Sequence, residues 1–247
     1  MAADSRSNAG VDHLMTVRKM TLFEDPGKRL ITLLAAGNLA VTQSTVTILQ
    51  EWISDGEDEN NIMAARSMYR VARIIGRALR EIIAIDGEHI GAENADSGAS
   101  FLLGGQIKGG KTRLYQVYSA GNFIEASPET PFLQIGETKY GKPVLDRLVH
   151  SGMSLEEAAK CILVSYTSTL RSNVSVGLPV DLIAYETDSL RVTKKISVEQ
   201  DTPYFSDLYD TWSQALQQAF DSIPNPDLDA ISESRCLPKK PTGLSSP

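Results

Sequence analysis

The sequence predicts an α+β protein built as a four-layer αββα sandwich, with two antiparallel sheets between outer layers of helices. Helical patterns come in pairs, at about 39–52 with 61–85 and at 142–149 with 154 onward. A doubly wound parallel sheet needs strands and helices alternating one by one, which this chain does not show. Strand runs with tight hairpin loops, Lys108-Gly109-Gly110-Lys111 and Ser119-Ala120-Gly121-Asn122, stand between the pairs. No linker divides the 247 residues into separate domains.

The elements follow in order. Residues 16–23 alternate imperfectly and stop at Asp25-Pro26-Gly27, a turn signal. Residues 29–36 form a continuous apolar run of strand length, which reads as a buried strand. A helix is expected over 39–52, then an acidic loop over 55–60. The span 61–85 reads as one long helix whose apolar face is Met68, Val71, Ile75, Leu79 and Ile82. Arg66, Arg70, Arg73, Arg77 and Arg80 make a second stripe on it. That stripe is a solvated face with local ion pairs, or a grip for phosphates or for an acidic neighbouring subunit.

A Gly/Asp/Ser stretch at 86–98 leads into a meander of strands at 101–107, 113–118 and 123–126, with a further short strand at 132–135. A helix at 142–149 breaks at His150-Ser151-Gly152. The next opens on Ser154-Leu155-Glu156-Glu157, a capping box, with Leu155, Ala159, Ile162 and Tyr166 as its core face. Residues 180–186 and 191–196 form another hairpin. Thr202-Pro203 starts a last helix with the stripe Phe205, Leu208, Trp212, Leu216, Ala219 and Ile223. The expected domain therefore covers 1–223. Residues 224–247, rich in Pro, Ser, Asp and Lys, read as a disordered tail.

Composition excludes several function classes. A net charge of −7 argues against nucleic acid as the partner, because duplex binding is driven by basic residues displacing counterions. No apolar stretch is long enough to span a membrane, and Met1–Arg6 has no apolar core for a secretory signal. The two cysteines, Cys161 and Cys236, give neither metal spacing nor a disulfide framework, which suits free thiols in the cytoplasm. No metal or other cofactor is called for. Gly105–Thr112 does satisfy G-x-x-x-x-G-K-[ST], but a phosphate-binding loop needs a helix after its Lys-Thr. Here Arg113-Leu114-Tyr115-Gln116-Val117-Tyr118 follows, rich in β-formers, so the segment reads as a hairpin tip.

Four blocks carry a resemblance. They are Asp4-Ser5-Arg6-Ser7-Asn8-Ala9-Gly10-Val11-Asp12-His13 with Arg18-Lys19-Met20, then Ala36-Gly37-Asn38-Leu39-Ala40. Ile135-Gly136-Glu137-Thr138-Lys139-Tyr140-Gly141-Lys142-Pro143 and Arg171-Ser172-Asn173-Val174-Ser175-Val176-Gly177 complete the set. In this order they resemble the bacterial proteasome-type proteases called Anbu (ancestral β-subunit), of the N-terminal-nucleophile hydrolase superfamily.

The resemblance implies a threonine-type peptidase subunit in a ring or spiral of identical subunits, acting on peptide or unfolded protein. Its nucleophile is an N-terminal threonine hydroxyl, which needs a neighbouring base. By resemblance Lys19 activates that hydroxyl, Asp4 holds Lys19, and the Gly37 backbone N–H meets the developing oxyanion. Ser175 matches a serine that supports the terminal amine. Two positions depart from the wider pattern: Ser172 replaces an aspartate, and Glu137 or Thr138 stands where many β-subunits carry serine. The family also runs a complete strand, threonine first, ahead of the Asp4 block. Only Met1-Ala2-Ala3 precede Asp4 here, too few for a strand. The first strand is therefore expected to be truncated and the chain as given to lack its nucleophile and be inactive. A late-assigned start and a true truncation both explain this. The alternative function is a non-catalytic assembly subunit of the same architecture.

Overall fold

In the computed structural model, residues 1–8, 14–56, 59–92 and 98–228 are described. The elements run β1 (Ala2–Asp4), β2 (Arg6–Asn8), β3 (Leu14–Thr16), β4 (Met20–Asp25), β5 (Arg29–Gly37), α1 (Leu39–Asp55), α2 (Met68–Ala92) and β6 (Ala99–Ile107). Then follow β7 (Arg113–Val117), β8 (Phe123–Glu125), α3 (Lys142–Leu148), α4 (Leu155–Ser172), β9 (Val180–Ala184), β10 (Lys194–Val198) and α5 (Pro203–Asp221). Two compact units divide the chain, Met1–Leu208 and Tyr209–Pro247.

In the first unit, β4-β5-β6-β7-β8 form one antiparallel sheet and β1-β9-β10 another, with β2-β3 a separate two-stranded ribbon. The apolar run of β5 is buried on both faces. Ile31 and Leu33 join Phe101, Leu103 and the α2 residues Val71, Ile75 and Leu79 in one cluster. Leu34 and Leu102, pointing the other way, pack on Ala3 of β1. Leu163 of α4 packs with Val180, Leu182 and Val198 of the second sheet and with Phe205 of α5. The order helices, sheet, sheet, helices is the expected sandwich.

Several expectations are corrected. The long helix begins at Met68, where Ser67 Oγ accepts the Arg70 N–H at 3.2 Å, and runs on to Ala92. Residues 61–67 are mostly turns, although Ile62 and Ala65 are buried in the same cluster and so extend the apolar pattern beyond the helix. Residues 132–135 form no strand; they lie beside Leu34 and Leu102 without a ladder partner. Ala2–Asp4 does form a strand, because β9 supplies a paired edge for only three residues. On α4 Ala159 and Tyr166 pack against the second-sheet cluster as expected, and Cys161, Leu163, Val164, Ser165, Thr167 and Thr169 are buried; Leu155 is exposed and, with Ile162, lines a small cavity of about 200 Å³. The predicted capping box at Ser154 and Glu157 is present. Within the second unit, Leu216 and Ile223 of α5 are exposed at 51% and 65%, so the apolar stripe is buried only at Phe205. Residues 9–13, Cys236 and the tail beyond 228 lie outside the described residues.

Gly105–Thr112 is the end of β6, a turn and the approach to β7, a hairpin. Its anchor is Gln106, 1% exposed. The Gln106 amide donates to Gly110 O at 2.7 Å and Asp188 Oδ1 at 2.6 Å. Its carbonyl accepts from the Asp188 N–H at 2.8 Å, from Thr112 Oγ1 at 3.2 Å and from the Tyr185 hydroxyl. One buried side chain thus ties the β6–β7 turn to the turn after β9. Gln106→Leu removes five hydrogen bonds, to Gly110, Thr112, Tyr185 and twice to Asp188, and chemical denaturation is expected to show a loss of about 2–3 kcal/mol.

Candidate active site

β1 ends at Asp4, at the rim of a cavity of about 790 Å³ between the two sheets. Asp4, Lys19, Gly37 and Ser175 all line that cavity. Four residues from distant parts of the chain are therefore brought to one place.

Lys19 stands just before β4, where its carbonyl accepts the Ala35 N–H at 2.9 Å. Its Nζ lies 2.9 Å from Asp4 Oδ1, and the two side chains are only 22% and 12% exposed. Partial burial lowers solvent screening, so the pair attracts more strongly than one on the open surface. Asp4 Oδ2 accepts two backbone N–H groups, from Arg6 at 3.1 Å and Gly177 at 3.3 Å. With three donors around it, the carboxylate is fixed in orientation and fixes Lys19 in turn.

Gly37 closes β5 opposite Ala99, with φ of +104°, a conformation that favours glycine. A Cβ there would fall 2.2 Å from Gly98 O, so no larger residue fits. Asn38 caps α1, its Oδ1 accepting the Val41 N–H at 3.2 Å. The positive end of the α1 dipole thus adjoins Gly37 and favours negative charge there.

Ser175 is exposed, in the loop between α4 and β9. Its N–H donates to Asn173 Oδ1 at 2.7 Å, and Asn173 Nδ2 donates to Glu137 Oε2 at 2.7 Å. Glu137, also on the cavity wall, accepts the Lys139 N–H at 2.7 Å. This chain therefore joins the Glu137 and Ser175 segments through an asparagine.

Sequence reasoning did not single out Tyr166, Arg6 or Gly177 as site residues. Arg6 had an available signal, since residues two apart in an extended segment share a face with Asp4. The Tyr166 hydroxyl lies 3.4 Å from Ala2 O, on the side of β1 turned away from β9. Burial, and the nearby Asp4 charge after it, pushes its phenol well up, so it stays a neutral donor.

Among the described residues, no group of three or more His, Cys, Asp or Glu is placed to hold a metal ion. No helix among them is long and apolar enough to cross a membrane.

Comparison with known proteins places the chain in a family. The family described as Proteasome subunit matches residues 28–178. A Gly-1 mutant of Anbu from Hyphomicrobium sp. strain MC1 is similar at 48% identity and a TM-score of 0.84, over 92% of this chain and 94% of that one. Anbu from Yersinia bercovieri is similar at 44% identity and a TM-score of 0.85, with the same coverage of 92% and 94%. A helical assembly of the Anbu complex from Pseudomonas aeruginosa matches at 44% identity and a TM-score of 0.86, over 92% and 93%. No curated protein matches. The chain belongs to the proteasome subunit family, and within it to the Anbu, or ancestral β-subunit, proteins.

Proposed function

We propose that this proteasome-like subunit is a threonine peptidase that hydrolyses peptide bonds within a homo-oligomer in the cytoplasm. The attacking hydroxyl comes from a threonine-led segment ahead of Asp4, which the given sequence does not include. The observation that carries the reading is the 2.9 Å Asp4–Lys19 pair at the rim of a cavity that Gly37 and Ser175 also line.

In this mechanism Lys19 lowers the energy of the alkoxide by its charge or by taking the proton, and Asp4 holds the ammonium in line. The Gly37 N–H, beside the positive end of α1, stabilises the oxyanion of the tetrahedral intermediate. Ser175, at the cavity edge, supports the terminal amine. The substrate is peptide or unfolded protein. Assembly from identical subunits is supported by the helical assembly of the Pseudomonas relative.

Ser172, where the wider pattern has aspartate, favours a second reading, an assembly subunit with no turnover. The two separate in one experiment. A protein extended by a threonine-led strand ahead of Asp4 is assayed on fluorogenic peptides beside its Thr→Ala variant. Turnover that vanishes with the threonine is expected; large particles with no turnover in either protein select the second reading.

A further inference from the structure

We infer that Arg6 is a positioning residue of the site: its guanidinium latches the loop after α4 against the β1 segment, and through Gly177 it fixes the Asp4 carboxylate that holds Lys19. Its catalytic consequence rests on the peptidase reading above; the latch itself does not.

Arg6 follows Asp4 by two residues, yet it makes no ion pair among the described residues. Its Nη1 instead donates to two loop carbonyls, Val174 O at 2.9 Å and Val176 O at 3.4 Å. The guanidinium lies against Gly177. A Cβ on that residue would fall 2.2 Å from Arg6 Nε and 2.3 Å from Cζ, so glycine is what admits the plane. The same glycine sends its N–H to Asp4 Oδ2 at 3.3 Å and accepts the Ser5 N–H at 3.4 Å. Both contacts are long, and the shorter 2.9 Å guanidinium bond is the stronger tie between loop and strand. At its far end the loop is held by Asn173, bound to Glu137 Oε2 at 2.7 Å. Of the three donors on Asp4, the Gly177 N–H thus depends on the latch. Without it the carboxylate is freer to rotate, and Lys19 with it.

Arginine suits the task where lysine does not, because its planar group lies flat against the bare Cα of Gly177 while Nη1 donates to the two carbonyls. Alanine at 177 is the converse lesion, since it keeps Arg6 and denies it the seat.

The test is residue-resolved amide exchange in Arg6→Ala, Arg6→Lys, Gly177→Ala and the Arg6→Ala/Gly177→Ala double variant. The β4-β5-β6 amides in the same spectra report whether each protein is folded. Arg6→Ala and Gly177→Ala should each speed exchange at residues 174–177 by at least about tenfold, with Arg6→Lys in between and the double variant no faster than Arg6→Ala. Exchange within twofold of the parent in both single variants overturns the latch, as does a double variant in which the two effects simply add.

In the threonine-extended protein, Arg6→Ala should lower kcat with KM unchanged. Faster exchange with kcat unchanged overturns the positioning role. Faster exchange with no turnover in any variant, the parent included, refutes the peptidase reading and leaves the latch standing.

Discussion

Replacing Lys19 by alanine in the threonine-extended protein is expected to lower kcat/KM for peptide hydrolysis by about 10²–10⁴-fold while leaving the fold intact. The size follows from what a positioned base or cation contributes when a hydroxyl is the nucleophile. The fold survives because the substitution keeps the bond from the Ala35 N–H to the residue 19 carbonyl and removes only the ammonium's pair with Asp4. Asp4 is the partner left behind, 12% exposed and still accepting from Arg6 and Gly177. Asp4→Asn should cost nearly as much activity, and the double variant should be little worse than either single one, because the two side chains act as one unit. Initial rates at saturating and sub-saturating peptide settle it, with thermal unfolding of each variant as control.

Gly37→Ala is expected to damage both stability and turnover. The φ of +104° is unfavourable for any residue with a Cβ, and that atom would meet the Gly98 carbonyl oxygen at 2.2 Å. The oxygen belongs to backbone and cannot swing aside as a side chain would. Strain and displacement together should lower stability by about 3–4 kcal/mol. Relief of the clash moves the end of β5, and with it the N–H assigned to the oxyanion. Hydrolysis measured well below the melting transition should fall by about 10²–10³-fold. Gly27 is the control: at φ of +80° with nothing within 4 Å of an added Cβ, alanine there pays only the backbone term.

The sandwich was legible because its signals are local and redundant. The β5 run, the two glycine-bearing hairpin loops and the Ser154 capping box each specify their element without help from the rest of the chain. The start of α2 was not legible, because Ile62 and Ala65 continue the buried pattern of Met68 and Val71 while lying in turns. Apolar spacing reports burial; only the Ser67 cap reports where the helix begins. Residues 132–135 look like a strand for the same reason, being apolar and cavity-facing.

At the site, the Asp4–Lys19 distance followed from matching blocks of sequence, not from any spacing rule. The Arg6–Gly177 contact joins an N-terminal side chain to a distant loop through backbone carbonyls, which carry no residue identity to read. Gln106 is hidden likewise, since a glutamine among strand residues gives no sign that its amide will find five partners.

The most direct measurement is covalent capture. A β-lactone acylates activated nucleophiles, and intact-protein mass spectrometry with peptide mapping separates an adduct on the terminal threonine from one on a cysteine or lysine. In the threonine-extended protein a single acyl adduct on the terminal threonine is expected, lost in both Lys19→Ala and Asp4→Asn. An unmodified threonine, or one labelled equally well without Lys19 and Asp4, would contradict the account.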